Sequence, residues 1–519
     1  MNPDPERYRE VLRAIAEDVR KGRIRTQSEL EAKKKEAAML LRLSALPSHA
    51  DILAAADEPW REDLRLLVRK PTRTLSGVAV IAAMTSPARC PHGTCVPCPG
   101  GLTISSPQSY TGREPAAMRA AQHGFDPYRQ VSARLSQLEE IGHFVDKAEL
   151  IIMGGTITAR PLGYQHWFVK RCLQAMNEYC GQPQDGEPPW RSLANVACEN
   201  QQARVKNVGI TFETRPDWCG PAAVRQMLSM GATKVELGVQ SLDTAVLDKM
   251  RRGHGPQQAA QATCLLREAG LKVGYHMMPG LPGSSPETDR RDFLRLFSDP
   301  AFRPDYLKIY PTLVVEGTEL YSMWKRGEYQ PLQDDEAAQL ISILKECLPR
   351  YVRLQRVQRD IPAQLIQAGV RKSNLRQLAW ERLRERGKRC QCIRCREAGL
   401  RGVSEGDVRL NEESYQAGGG QEIFISCDSV DDTLVGFLRL RLGEAARVRE
   451  LHVYGPLVPP GRRGGWQHRG YGSMMLARAQ ELASDAGYRE ISVTSGFGVR
   501  GYYRDQGYHL KGPYMVRGI

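Results

Sequence analysis

Long apolar runs are missing from this 519-residue chain. Gly77 to Met84, a typical apolar stretch, has the length of a strand and not of a bilayer-spanning helix, so no membrane segment is expected. The stretch from Met1 to Glu10 is polar and charged, which argues against a secretory signal, and the expected location is cytoplasmic. Internal repeats are absent. Acid is in short supply: 59 Asp and Glu stand against 73 Lys and Arg, a formal net charge of +14. An excess of that size favours a polyanionic partner without saying which one. The chain is too long for one ordinary core, so two or more domains are expected, with a soluble composition of 41% hydrophobic and 25% charged residues.

Short apolar runs separated by helix-sized amphipathic stretches recur from about Pro71 to Pro362. The candidate strands are Val78–Ala83, Leu150–Met153, Val208–Phe212, Val235–Val239, Val273–Met278 and Leu307–Tyr310. Strands alternating with helices predict parallel βα units, and six of them predict a partial barrel with its ligand chemistry at the C-terminal strand ends. The region 182–207, with Pro183, Pro188 and Pro189, reads as an insertion or long loop. Before the barrel, residues 1–72 read as a helical extension with basic patches at Lys21, Arg23 and Arg25 and at Lys33–Lys35. Those patches fit either a solvated face or a grip on nucleic acid. After Gly418–Gly420 the texture is strand-rich, with Glu422–Ser426, Thr433–Leu442, Val448–Val453 and Ile491–Thr494. A helix over Ser473–Ala486 and a short one over Arg500–Asp505 complete this part. The resulting division is 1–72, 73–375, a Cys-rich linker at 376–415, and 416–519.

Six of the thirteen cysteines fall into two tight clusters, and each cluster lacks a fourth cysteine. In a large chain of this kind such clusters read as metal sites before disulfides. Cys90, Cys95 and Cys98 follow the first candidate strand. Three thiolates on one loop can hold three irons of a 4Fe–4S cluster and leave the fourth iron open, although a zinc knuckle or inert thiols would use the same residues. An open iron is what a radical S-adenosylmethionine (SAM) enzyme needs. Gly154-Gly155-Thr156 ends the second strand, where glycine lets backbone approach a ligand, and Thr156 stands where many radical SAM proteins carry an acid. Glu213-Thr214-Arg215, Glu236 to Gln240 and His276 to Gly280 end later strands and put polar groups at the same face. Cys390, Cys392 and Cys395 supply three thiolates for a possible structural zinc acting as a clamp between domains, with no fourth ligand evident.

Gln467-His468-Arg469-Gly470-Tyr471-Gly472, ahead of a helix, has the pattern by which acetyltransferases offer backbone N–H groups and a helix N-terminus to the pyrophosphate of CoA. The strand Leu451-His452-Val453 lies upstream, where an acetyl group and its arm would sit. Tyr502 and Tyr503 lie downstream. Tyr502 reads as functional, and Tyr503 is undecided between site and core.

In order, these motifs resemble the catalytic subunit of the Elongator complex and its stand-alone prokaryotic relatives. The carrying stretches are Arg89-Cys90-Pro91-His92-Gly93, Cys98-Pro99-Gly100-Gly101, Gln108-Ser109-Tyr110-Thr111-Gly112, Leu307 to Thr312, Arg356 to Pro362 and Gly512 to Met515, within a likeness running from Arg73 to Ile519. The resemblance implies an α/β fold: a partial (βα)6 radical SAM barrel, then a GNAT-type acetyltransferase domain. It implies conversion of the anticodon wobble uridine of tRNA to 5-carboxymethyluridine, consuming SAM and acetyl-CoA, by a chain acting without accessory subunits. The cluster would then rest on Cys90, Cys95 and Cys98. Acetyl-CoA would meet Lys147, Glu450, Leu451, His452, Val453, Gly470, Tyr471, Gly472 and Tyr502, with Lys147 and Tyr502 as candidate catalytic groups. The competing readings are a protein lysine acetyltransferase with a structural iron–sulfur domain, and a non-catalytic tRNA-binding scaffold.

Overall fold

The computed structural model describes residues 4–56, 66–68, 74, 76–180, 191–401, 407–454 and 469–519. Gln467, His468 and the prolines of 182–190 lie outside the described residues, as does Arg73.

Three helices open the chain: α1 (Pro5–Arg20), α2 (Gln27–Leu40) and α3 (His49–Ala55). Their starts are written into the sequence, with Asp4 capping α1 and capping boxes at Thr26/Glu29 and Ser48/Asp51. They pack on a small core of their own around Leu12, Ile15, Leu30 and Ile52. Much of their basic charge is used locally: Lys21 pairs with Glu17 at 2.9 Å, Arg23 with Asp18 at 3.0 Å, Lys33 with Glu36 and Lys34 with Glu31, both at 2.8 Å. That pairing favours the solvated-face reading of these patches.

Next come β1 (Ala79–Met84), β2 (Lys147–Met153), β3 (Lys206–Thr214), β4 (Ala232–Gln240), β5 (Lys272–Met277) and β6 (Tyr306–Ile309). They form a parallel sheet in sequence order. A two-residue strand β7 (Val314–Val315) pairs with β9 (Ile366–Ala368) outside it. Between them β8 (Arg353–Arg356) adds a seventh parallel strand beside β6. The six-strand expectation therefore falls one short, because Arg-Leu-Gln-Arg offers no apolar run. Within the stretch expected as an insertion or long loop, Leu193–Glu199 is helical, capped by Ser192.

Period-two alternation explains the barrel. Ala148, Leu150 and Ile152 of β2, Val235, Leu237 and Val239 of β4, and Leu307 and Ile309 of β6 turn outward and are buried under the helices. The intervening Lys147, Glu149, Ile151 and Met153, then Lys234, Glu236 and Gln240, then Tyr306, Lys308 and Tyr310, line a central cavity.

The C-terminal sheet comprises β10 (Val408–Ala417), β11 (Gly420–Ser429), β12 (Leu434–Leu442), β13 (Ala446–Val453), β14 (Glu490–Val493), β15 (His509–Lys511) and β16 (Tyr514–Gly518). Their order is β10-β11-β12-β13-β14-β16-β15, antiparallel except for β13 with β14. The helix Tyr471–Asp485 packs on β11, β12 and β13. Sheet and barrel share one core and are joined by buried ions. Arg449 pairs with Asp305 at 2.7 Å and with Glu422 at 2.6 Å, Arg267 with Glu422 at 2.9 Å, and Arg439 with Asp305 at 3.5 Å. Burial pushes the Asp305 carboxyl up, but Arg267, Arg449 and Arg439 overcome it and hold the group far below the usual carboxylate range. No helix among the described residues is long and apolar enough to cross a membrane.

Candidate active site

The loop after β1 carries Cys90, Cys95 and Cys98, all half-buried. Its surroundings suit a cluster of thiolates. The Ser109 N–H donates to Cys98 Sγ (3.2 Å), His92 Nε2 lies 3.0 Å and Arg252 Nη1 3.6 Å from Cys95 Sγ, and Thr156 Oγ1 lies 3.7 Å from Cys90 Sγ. Burial raises the Cys90 and Cys98 thiols, so bare thiolates are disfavoured there until a metal takes the protons' place. Arg215 and Arg252 add positive charge, and Arg215 Nη1 is buried with no partner among the described residues. Gly154 and Gly155, at φ +115° and +64°, turn the chain at the end of β2. A Cβ on Gly154 would lie 2.4 Å from Thr85 Oγ1, so only glycine fits.

The predicted contacts for an acetyl-CoA arm assemble at the other end of the barrel. β13 pairs with β14 only from Ala446 to Val448, and the strands then part. Along Arg449–Val453 the backbone edge on that side has no strand partner among the described residues, so its donors and acceptors are not taken up by the sheet there. Gly470 caps the helix Tyr471–Asp485 at φ +86°. A Cβ on Gly472 would meet Tyr502 Oη at 2.8 Å and Leu451 Cδ2 at 3.9 Å, so the glycine turn, β13 and Tyr502 converge. Both rings reach the cavity, but Tyr502 is 39% exposed whereas Tyr503 is buried in the core, so the first ring offers more surface to a ligand. His452 Nε2 is buried without a partner, and burial brings its imidazole down to about 4, so the ring is neutral. The Glu450 side chain is occupied in holding the structure together, since it accepts from Tyr306 Oη and pairs with Arg439 at 2.8 Å. Burial acts to raise its carboxyl, but Lys272, Arg439 and these bonds hold it at about 2.

Lys147 stands at the N-terminal end of β2, the opposite end from Gly154 and the cysteine loop. Six residue steps separate Lys147 from Met153, about 20 Å of strand. Burial lowers its ammonium pKa. The cysteine loop lies at the C-terminal strand ends, as expected, whereas Lys147, expected from the resemblance as an acetyl-CoA contact, stands at the other end. One cavity of about 1770 Å³ nevertheless touches both ends, lined by Cys90 and Thr156 above and by Lys147, Leu451, His452 and Tyr502 below.

Between these ends the cavity wall carries an ion ladder: Glu213, Glu236 and His276 were expected at strand ends facing the site, whereas Glu149 and the pairing lysines Lys234 and Lys308 were not. Lys234 bridges Glu149 (2.9 Å) and Glu236 (3.4 Å), Lys308 bridges Glu236 and Glu213 (3.0 Å), and His276 Nε2 lies 3.0 Å from Glu236. Charged residues at alternate positions in otherwise apolar strands were the available signal.

Cys390, Cys392 and Cys395 bring their Sγ atoms within 4.8 Å of one another, as a single ion requires. Lys345 Nζ, on a side chain almost wholly buried, lies 3.6 Å from Cys395 Sγ. The segment ties both halves together, since Arg396 pairs with Asp428 of β11 at 2.7 Å and Glu397 with Arg353 of β8 at 2.5 Å.

Family models match the chain in three places: the ELP3 N-terminal domain at residues 8–75, the radical SAM superfamily at 84–296 and the Radical_SAM C-terminal domain at 304–385. A tRNA uridine(34) acetyltransferase of Methanocaldococcus infernus is 46% identical over 97% of this chain and 98% of its own. Another, of Dehalococcoides mccartyi, is 44% identical over 87% and 99%. Elongator complex protein 3 of Homo sapiens is 40% identical over 92% and 90%. Among solved structures, the archaeal Methanocaldococcus infernus Elp3 with an N-terminal deletion (1–46) matches with a TM-score of 0.74 at 44% identity, covering 86% of this chain and all of that one.

Proposed function

The chain belongs to the family of the tRNA uridine(34) acetyltransferases and Elongator complex protein 3, and from that membership we propose that it is the enzyme forming 5-carboxymethyluridine at the wobble position of tRNA from acetyl-CoA and SAM. The observation that carries this reading is the single cavity touching both the cysteine loop and the splayed edge of β13. Two separate activities would have no need of a shared chamber. Carbon 5 of uridine is not acidic, so a carbon radical suits it better than a base, and a base reached in an anticodon loop must be splayed into a pocket.

Cys90, Cys95 and Cys98 would hold a 4Fe–4S cluster, which with SAM supplies a 5′-deoxyadenosyl radical when bound. Around it, Arg215 and Arg252 supply positive charge, the Ser109 N–H donates to Cys98 Sγ, and the Gly154–Gly155 turn leaves room for a ligand against the strand end. At the lower end, the open edge of Glu450 to Val453 would take the pantetheine amides. The Gly470-Tyr471-Gly472 turn would take the pyrophosphate. Tyr502 and the neutral His452 would face the thioester, and Lys147 would meet an acyl or phosphate oxygen. The excess of basic residues supports tRNA as the partner. The linker thiols, with Lys345 beside them, would hold a structural metal that clamps sheet to barrel. The chain would act in the cytoplasm without accessory subunits.

Mass spectrometry of tRNA nucleosides tests the reading, after anaerobic incubation of reconstituted protein with SAM, acetyl-CoA and a reductant. Carboxymethyluridine is expected from the parent and none from Cys95→Ala. If neither sample forms it, and acetylated protein is found instead, the lysine acetyltransferase reading takes its place.

A further inference from the structure

Joining an acetyl carbon to uridine leaves a CoA thioester that has to be cleaved by water, and a general base for that step must stand inside the cavity. The histidines and acids of the wall divide sharply in their fitness for it. Glu236 is buried, and although burial acts to raise its carboxyl, Lys308 and Lys234 hold it well below the usual range, ionised and tied to two ammonium groups. Glu213 is engaged in an ion pair with Lys308 at 3.0 Å. His452 has no carboxylate hydrogen-bonded to its ring; it packs against Tyr454 with centroids 4.4 Å apart, and burial brings it to about 4, which makes it a weak base.

His276 differs. Its Nε2 lies 3.0 Å from Glu236 Oε2, and a carboxylate can only accept, so Nε2 carries a proton and, in the neutral ring, Nδ1 is the acceptor. The ring lines the cavity at the end of β5, edge-on to Tyr310 at 5.6 Å. The groups facing it are Glu236, Glu213, Lys308 and Tyr310. An imidazole oriented by a buried carboxylate, with its other nitrogen open to substrate, is the arrangement of a general base. The Lys308 ammonium occupies the middle of the Glu213–Glu236–His276 group, which accounts for that cluster without a metal.

We propose that His276, oriented by Glu236, is the catalytic base for hydrolysis of the uridine-linked CoA thioester. His276 Nδ1 takes a proton from water as the water oxygen bonds to the acyl carbon. The carbon–sulfur bond then breaks, and the departing CoA sulfur receives that proton. The products are the carboxymethyl group and free thiol, with no change of oxidation state. The proposal rests on the carboxymethyluridine reading.

The test uses the full chain and a synthetic anticodon stem-loop whose carboxymethyluridine is thioesterified to CoA, with neither SAM nor reductant added. Thiol release is followed in single turnover at saturating protein for the parent, His276→Gln and His276→Ala. The parent is expected to release CoA, His276→Gln to do so about 100-fold more slowly or worse, and imidazole to restore much of the rate to His276→Ala. Binding of the stem-loop and the melting temperature should stay at parental values. Parental release rates in His276→Gln overturn the proposal. So does a slow rate that imidazole leaves untouched while binding weakens in step, which would make His276 a positioning residue. A parent that binds the thioester without cleaving it strikes at the carboxymethyluridine reading instead, and that outcome is distinguishable from the other two.

Discussion

Cys90, Cys95 and Cys98 share a half-buried loop at the rim of an open chamber, with Cys90 lining it and Arg252 beside Cys95, whereas Cys390, Cys392 and Cys395 are folded under the helix that bears Lys345, between barrel and sheet. The spacings are similar, two residues separating the last pair of each triplet. The surroundings are not. One triplet faces space that a substrate can enter; the other has its thiols within 4.8 Å of one another and little exposure. A motif of three cysteines therefore offers thiols at ligand spacing, and the neighbours decide whether such a triplet can serve chemistry or cohesion.

The strongest way to break this comparison is to remove one thiol from each. Cys95→Ala should abolish both 5′-deoxyadenosine and carboxymethyluridine while the melting temperature stays close to the parent's. Cys392→Ser should do the reverse, lowering bound metal by elemental analysis and costing more than about 2 kcal/mol in denaturant unfolding. Equal stability losses in both variants would erase the distinction.

The chamber wall gives the next largest effect. Lys308→Met leaves Glu236 and Glu213 without their shared cation, and a broken buried pair costs about 3–5 kcal/mol. Adding Glu236→Gln should recover part of that in a double-mutant cycle. Gly472→Ala sets a Cβ 2.8 Å from Tyr502 Oη and should weaken acetyl-CoA binding about tenfold by calorimetry, equivalent to about 1.4 kcal/mol. The smallest effect is one of pH. His452 folds with its pKa lowered to about 4 from an ordinary 6.5, so the unfolded chain binds the proton first. Its contribution to stability is present above about 6.5 and is lost as pH falls towards 4. His254, lowered by burial to about 3, acts in the same sense. His452→Gln should flatten that slope without removing it.

The apolar runs of β1 to β6 were legible because their outward faces are continuous under the helices, and the glycine turns were legible because backbone geometry admits little else. β8 and β10 were not. Arg353 and Gln355 turn into the cavity, leaving Leu354 as the buried apolar residue of β8, and most residues of the outer strand β10 are at least partly exposed. Glu213, Glu236 and His276 were placed at strand ends, but Glu149, Lys234 and Lys308, which complete the ladder, escaped for a related reason: each charge looks like solvent-facing alternation until the sheet curls round it. Lys147 and Glu450 were singled out only through a resemblance, and the Glu450 side chain holds barrel and sheet together through Tyr306 and Arg439.

By itself the sequence determined which chemistry is present: thiol triplets at ligand spacing, a glycine turn before a helix, βα alternation and a basic excess. Those are local properties, set by bond geometry and residue type over a few positions. Only the tertiary structure decided that the two halves share one chamber, that its wall is a charged ladder, and that His276 rather than His452 has a carboxylate to orient it. Such relations join residues tens to hundreds of positions apart. They arise from the closure of the sheet and from buried ions such as Asp305 with Arg449, and no short window of sequence contains them.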